Sequence, residues 1–119
     1  MDPYQQQILE HYKNPLNFGL LTNPSYTRVE NNPTCGDSFT VSIHVNDVGV
    51  IDAVGFAGVG CAISTAAASM LTETIKGKQL SEVLALKPQS VLDLLGIELG
   101  PTRLKCALLP LQAITRLTL

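Results

Sequence analysis

Apolar positions near the start of the chain return at helical spacing. Tyr4, Ile8, Leu9 and Tyr12 fall on one stripe at i, i+4, i+5 and i+8. Asp2 is suited to cap that helix, and Pro3 suits its first position because the missing N–H would be unpaired anyway. Asn14-Pro15 ends it. Asn17, Gly19, Asn23 and Pro24 mark residues 16–25 as a loop. The period then changes to two. Phe39, Val41, Ile43 and Val45 alternate with Ser38, Thr40, Ser42 and His44, the pattern of a half-buried strand. Asn46-Asp47-Val48-Gly49 makes a turn, and Val50 to Ala57 returns as the second arm of a hairpin. Tyr26 to Glu30 supplies a third, edge strand. Beyond Cys61 the helical period resumes with Ile63, Ala67, Met70, Leu71 and Ile75, and Gly77 provides the stop. Leu80 to Leu86 and Pro88 to Leu95 predict two short helices. Leu104 to Leu117 predicts a last one, with Pro110 tolerable only near its first turn. Strands first and helices later argue for α+β, with helices packed on one face of a three-stranded antiparallel sheet.

Composition narrows the function. The 119 residues fit one domain, 1–119, with no repeat, linker or low-complexity tract. Lys and Arg total 8 against 10 Asp and Glu, a net charge of −2, which excludes a generic nucleic-acid binder. No apolar run approaches the roughly 18 residues of a membrane span. The opening Met1-Asp2-Pro3-Tyr4-Gln5-Gln6-Gln7 lacks the basic start and apolar core of a signal peptide, so a cytoplasmic protein is expected. The mean hydropathy of +0.22 is high for a water-facing domain and points to apolar surface that meets a partner.

The chemistry gathers around the cysteines Cys35, Cys61 and Cys106. Their number is odd, and spacings of 26 and 45 match neither a disulfide scaffold nor a tight zinc pair. Spacing alone leaves them as unrelated buried thiols or as ligands. Their settings favour the second. Cys35 lies in the turn Asn32-Pro33-Thr34-Cys35-Gly36-Asp37, Cys61 opens the longest helix, and Cys106 lies near the start of the last. Thiols at such boundaries are partly exposed, and backbone N–H groups there favour the thiolate, the form that binds metal. Asp37 is a fourth candidate, either as a ligand or as the cap of its own turn in an Asx-turn. Lys105 stands beside Cys106 as a neighbouring positive charge. His11 and His44 read as structural or solvated. No Ser/His/Asp constellation is evident, and Gly55-x-x-Gly58-x-Gly60 lacks dinucleotide-loop spacing.

Four segments, taken in order, carry a resemblance. They are Ile8-Leu9-Glu10-His11-Tyr12-Lys13-Asn14-Pro15, Asn32-Pro33-Thr34-Cys35-Gly36-Asp37, Gly60-Cys61-Ala62-Ile63-Ser64 and Arg103-Leu104-Lys105-Cys106-Ala107. With Thr72-Glu73 and Lys76-Gly77-Lys78, they resemble the U-type iron–sulfur cluster scaffold family: IscU, SufU and the N-terminal domain of NifU. The resemblance implies a three-stranded sheet with helices packed on it. It implies Cys35, Cys61 and Cys106 as sulfur ligands with Asp37 beside them, and Cys106 as the exposed thiol that accepts sulfur. It further implies a transient [2Fe–2S] cluster, with Zn²⁺ as the alternative occupant. A cysteine desulfurase, an iron donor and acceptor apoproteins would be the partners of a scaffold that is not itself an enzyme.

The alternative within the family is a zinc-dependent sulfurtransferase of the SufU type. Lys105, where the Isc branch has His, and Asn32-Pro33-Thr34 resemble the Suf branch. The chain nevertheless lacks the segment that branch inserts between the long helix and the third cysteine. It also shows Gly100-Pro101-Thr102-Arg103-Leu104 where the Isc branch has Leu-Pro-Pro-Val-Lys. Both readings require three distant sulfur atoms and one carboxyl group to meet at a single accessible corner.

Overall fold

The computed structural model describes residues 2–119. Met1, where the expected domain 1–119 begins, lies outside the described residues. Helix α1 spans Pro3–Lys13, with Pro3 in its first turn and the Asp2 carboxylate accepting from the Gln5 N–H at 2.9 Å. Its stripe is narrower than the spacing predicts. Ile8 is buried, whereas Tyr4 and Tyr12 are 52% and 45% exposed. The helix packs on α2 along one line, so positions either side of Ile8 stay at the rim.

Three strands form an antiparallel sheet in the order β1-β2-β3: β1 Tyr26–Asn32, β2 Asp37–Val45 and β3 Ile51–Val59. The alternation predicted for β2 is present. Phe39, Val41 and Ile43 are buried, and Val54 and Phe56 sit opposite Ile43 and Val41 on β3. Together they face the helices in one continuous core. The other face is built from small residues and crossed by the loop after α1. Gly19 N–H donates to the Phe56 carbonyl at 2.7 Å, and Phe56 N–H donates to the Asn17 carbonyl at 3.0 Å. The Leu21 N–H then reaches Ser42 Oγ at 3.0 Å. A Cβ on Gly55 would lie 2.1 Å from the Gly19 carbonyl oxygen, so glycine is what lets this loop approach.

The remaining elements are α2 Ala62–Ile75, α3 Leu80–Leu84, α4 Pro88–Leu95 and α5 Pro101–Thr115. Helix α2 packs on β3, and α5 on β1, β2 and α2. The expected α+β architecture holds. Helix α5 departs from expectation. It starts at Pro101 rather than Leu104, because a proline is favoured at the first helical position. Pro110 therefore falls well inside the helix. Its ring is buried, and the ladder lacks the backbone bond that a proline cannot donate.

Candidate metal centre

The β1–β2 turn is closed by Asn32. Its side chain accepts from the Thr34 N–H at 3.1 Å, and its carbonyl accepts from the Gly36 N–H at 2.8 Å. Gly36 takes a φ of +78°, a conformation costly for other residues. This turn leaves Cys35 exposed at the tip and starts β2 with Asp37 turned inward, 7% exposed. The Asx-turn considered for Asp37 belongs to Asn32 instead. Asp37 Oδ2 is buried and has no hydrogen-bond partner among the described residues. An unpartnered buried carboxylate oxygen is costly unless a cation or another donor meets it.

Helix α5 brings the second thiol to the same place. Cys106 Sγ lies 3.4 Å from Cys35 Sγ. One ligand atom each from Cys35, Asp37 and Cys106 lie within 4.8 Å of one another. Cys106 is not the exposed thiol that its boundary position suggested: only 5% of it reaches solvent. With the helix starting at Pro101, Cys106 falls in the second turn on the face packed toward the sheet. Burial, the contact with Cys35 and the nearby charges of Cys61, Asp37 and Cys35 push its pKa from 9.0 up to about 12. Without a cation, Cys106 keeps its proton.

Cys61 stands apart from this trio. It is the N-cap of α2, and its sulfur accepts from the Ser64 N–H and lies against Ser64 Oγ, both at 3.5 Å. It is exposed and opens on a cleft of about 390 Å³ whose lining includes Ile8, Ile63 and Arg103. Lys105 is exposed and lines a smaller cleft with Cys35, Thr34 and Pro101. The two histidines lie elsewhere. His11 Nδ1 is 2.7 Å from Ser69 Oγ, and His44 pairs with Asp52 at 2.6 Å across the β2–β3 hairpin.

Sequence reasoning missed Ser64 and Asn32. Both had a local signal. Ser64 is three residues after a capping position, where an N–H needs an acceptor, and Asn32 is two residues before the N–H it binds. The donor set fits a thiophilic ion or cluster: two sulfurs, an orphaned carboxylate oxygen and a third thiol on an adjoining helix.

Comparison with known proteins bears on the family and the fold. The family model of the NifU-like N terminal domain matches residues 3–117. The iron-sulfur cluster assembly scaffold protein IscU of Buchnera aphidicola subsp. Schizaphis graminum is 35% identical over 114 residues, covering 93% of this chain and 88% of the relative. The zinc-dependent sulfurtransferase SufU of Bacillus subtilis is also 35% identical, over 130 positions covering 95% and 87% of the two chains. In fold, the crystal structure of a SUF-system scaffold protein from Fervidobacterium islandicum is similar. It gives a TM-score of 0.79 at 24% identity, over 98% of this chain and 95% of that one.

Proposed function

The chain belongs to the family of the NifU-like N-terminal domain, and from that we propose that it is an iron–sulfur cluster assembly scaffold. It receives sulfur from a cysteine desulfurase and iron from a donor, assembles a labile [2Fe–2S] cluster, and passes it to acceptor apoproteins. The observation that carries this reading is the meeting of Cys35, Asp37 and Cys106 around an unpartnered carboxylate oxygen. Cys61, which stands apart at the start of α2, would complete the set by moving in toward the other three. A [2Fe–2S] cluster is normally held by thiolates. A carboxylate in one position holds it less firmly, since soft ligands suit it better. Weak holding suits a cluster that is cargo. Lys105 offsets part of the negative charge that four anionic ligands bring.

Sulfur arrives by exchange with a desulfurase persulfide. The acceptor thiolate attacks the outer sulfur, a new S–S bond forms, and the donor leaves as a thiolate. Reduction to sulfide draws electrons from an external reductant. Assigning Cys106 as the acceptor now requires an opening step, because Cys35 and Cys61 are the exposed thiols.

The second reading is a zinc-dependent sulfurtransferase, favoured by Lys105, while an identity of 35% to IscU and to SufU alike does not separate the two. In that case Cys35, Asp37, Cys61 and Cys106 would hold Zn²⁺, which favours the thiolate form of its ligands. Against it stands the missing internal insertion. The alignment with SufU runs over 130 positions, more than the 119 residues of this chain, so that relative carries residues absent here. Anaerobic reconstitution with iron, cysteine and desulfurase separates the two. A red-brown product that transfers to an apoprotein supports the scaffold. Stoichiometric zinc that iron does not displace, with persulfide carried on the protein, supports the transferase. In the same assay, Asp37→Cys holds the cluster longer and slows its transfer.

A further inference from the structure

Pro110 lies inside α5, four residues after Cys106. In an α-helix the N–H at that position would donate to the carbonyl of residue 106. Proline has no N–H, and its ring crowds that carbonyl. The hydrogen-bond ladder is therefore interrupted at Cys106 itself. The helix is also weakly held at its start. Gly100 occupies the N-cap and supplies no side-chain bond. Between these two gaps Pro101, Thr102, Arg103 and Lys105 are exposed, and burial rests mainly on Cys106, Ala107 and Leu109.

We propose that Pro110 is a positioning residue for Cys106. By interrupting the ladder, it lets the Pro101–Leu109 part of α5 open locally and bring the buried Cys106 sulfur to solvent while the rest of the core stays folded. The use of this opening rests on the scaffold reading, in which incoming sulfur has to reach a thiol that the closed structure covers. The opening itself does not depend on that reading, nor on any bound metal.

The test is iodoacetamide labelling of the full-length, reduced, chelator-treated protein. Each cysteine is followed by mass spectrometry across low denaturant concentrations, with the exposed Cys61 as internal reference. Cys106 reacts more slowly than Cys61, yet at a rate that stays flat in low denaturant, the signature of local opening. Pro110→Ala restores the missing donor. It slows Cys106 labelling by at least about tenfold, leaves Cys61 unchanged, and makes the remaining reaction denaturant-dependent. Gly100→Ser adds a cap where a Cβ meets nothing within 4 Å, and slows Cys106 about twofold. Equal Cys106 rates in wild type and Pro110→Ala overturn the proposal. So does wild-type labelling that already follows global unfolding. A protein that opens as expected but assembles no cluster supports this inference while defeating the scaffold reading.

Discussion

Helix α2 begins with Cys61, whose sulfur accepts from the first turn and stays exposed. Helix α5 carries Cys106 in its second turn, buried against Cys35. The two helices differ along their length as well. Most of α2 is buried, and its ladder is unbroken by proline; α5 has an uncapped start and Pro110 inside it. The comparison separates two properties often taken together. The exposed thiol sits on the helix with a capped start, and the covered thiol on the one with an uncapped start and an internal proline. Exposure reports where a sulfur points; whether it can move depends on caps and ladder bonds around it.

The comparison breaks first if the two helices prove equally embedded. Leu71, fully buried on α2, should cost about 2–5 kcal/mol when replaced by alanine. Thr102→Ala, on the exposed start of α5, should stay within about 0.5 kcal/mol. Urea denaturation measures both, and comparable losses would remove the distinction.

Alkaline pH tests the covered thiol next. The folded, metal-free protein holds the Cys106 proton up to about pH 12, whereas the unfolded chain releases it near 9.0. The stabilisation is complete below the unfolded value and is lost as pH rises through the folded one. Denaturation midpoints should fall over that window, and fall less in Cys106→Ser.

A smaller effect sharpens the account of Cys61. Cys61→Ala removes the cap of α2 and should cost about 1 kcal/mol, while Cys61→Ser, which keeps a capping oxygen, should cost less. Thermal unfolding of the two variants checks this, and equal losses would mean that the sulfur contributes nothing as a cap. The smallest effect is at the other end of α2. Hydrogen bonding to Asn17, then Lys76, lowers the Glu73 pKa from 4.5. That contribution is present above 4.5 and fades as pH falls through the depressed value. Glu73→Gln should therefore flatten the acid limb of the stability profile slightly.

Features set by neighbours in the chain were legible in advance. Helix α4 runs from Pro88 to Leu95 as read, because Pro88 suits its first turn and Gly96 leaves it at a φ of +67°. The strands followed from strict alternation at Phe39, Val41 and Ile43. Features set by packing were not. Which face of α5 turns inward depends on where the helix starts, and a shift from Leu104 to Pro101 carried Pro110 into its interior. The orphaned Asp37 oxygen could not be foreseen from a Cys-Gly-Asp spacing, since the same spacing serves an Asx-turn. The nearness of Cys35 to Cys106 comes from tertiary contact between α5 and the sheet.

The backbone hydrogen bonds that Phe56 makes, donating to the Asn17 carbonyl and accepting from the Gly19 N–H, carry a consequence for handling of the protein. They occupy part of the outer edge of β3, which would otherwise present unpaired amides to another molecule as a template for fibre growth. The corner near the cysteines can then loosen for exchange while that edge stays shielded, so transient opening there does not by itself expose β3 to self-association.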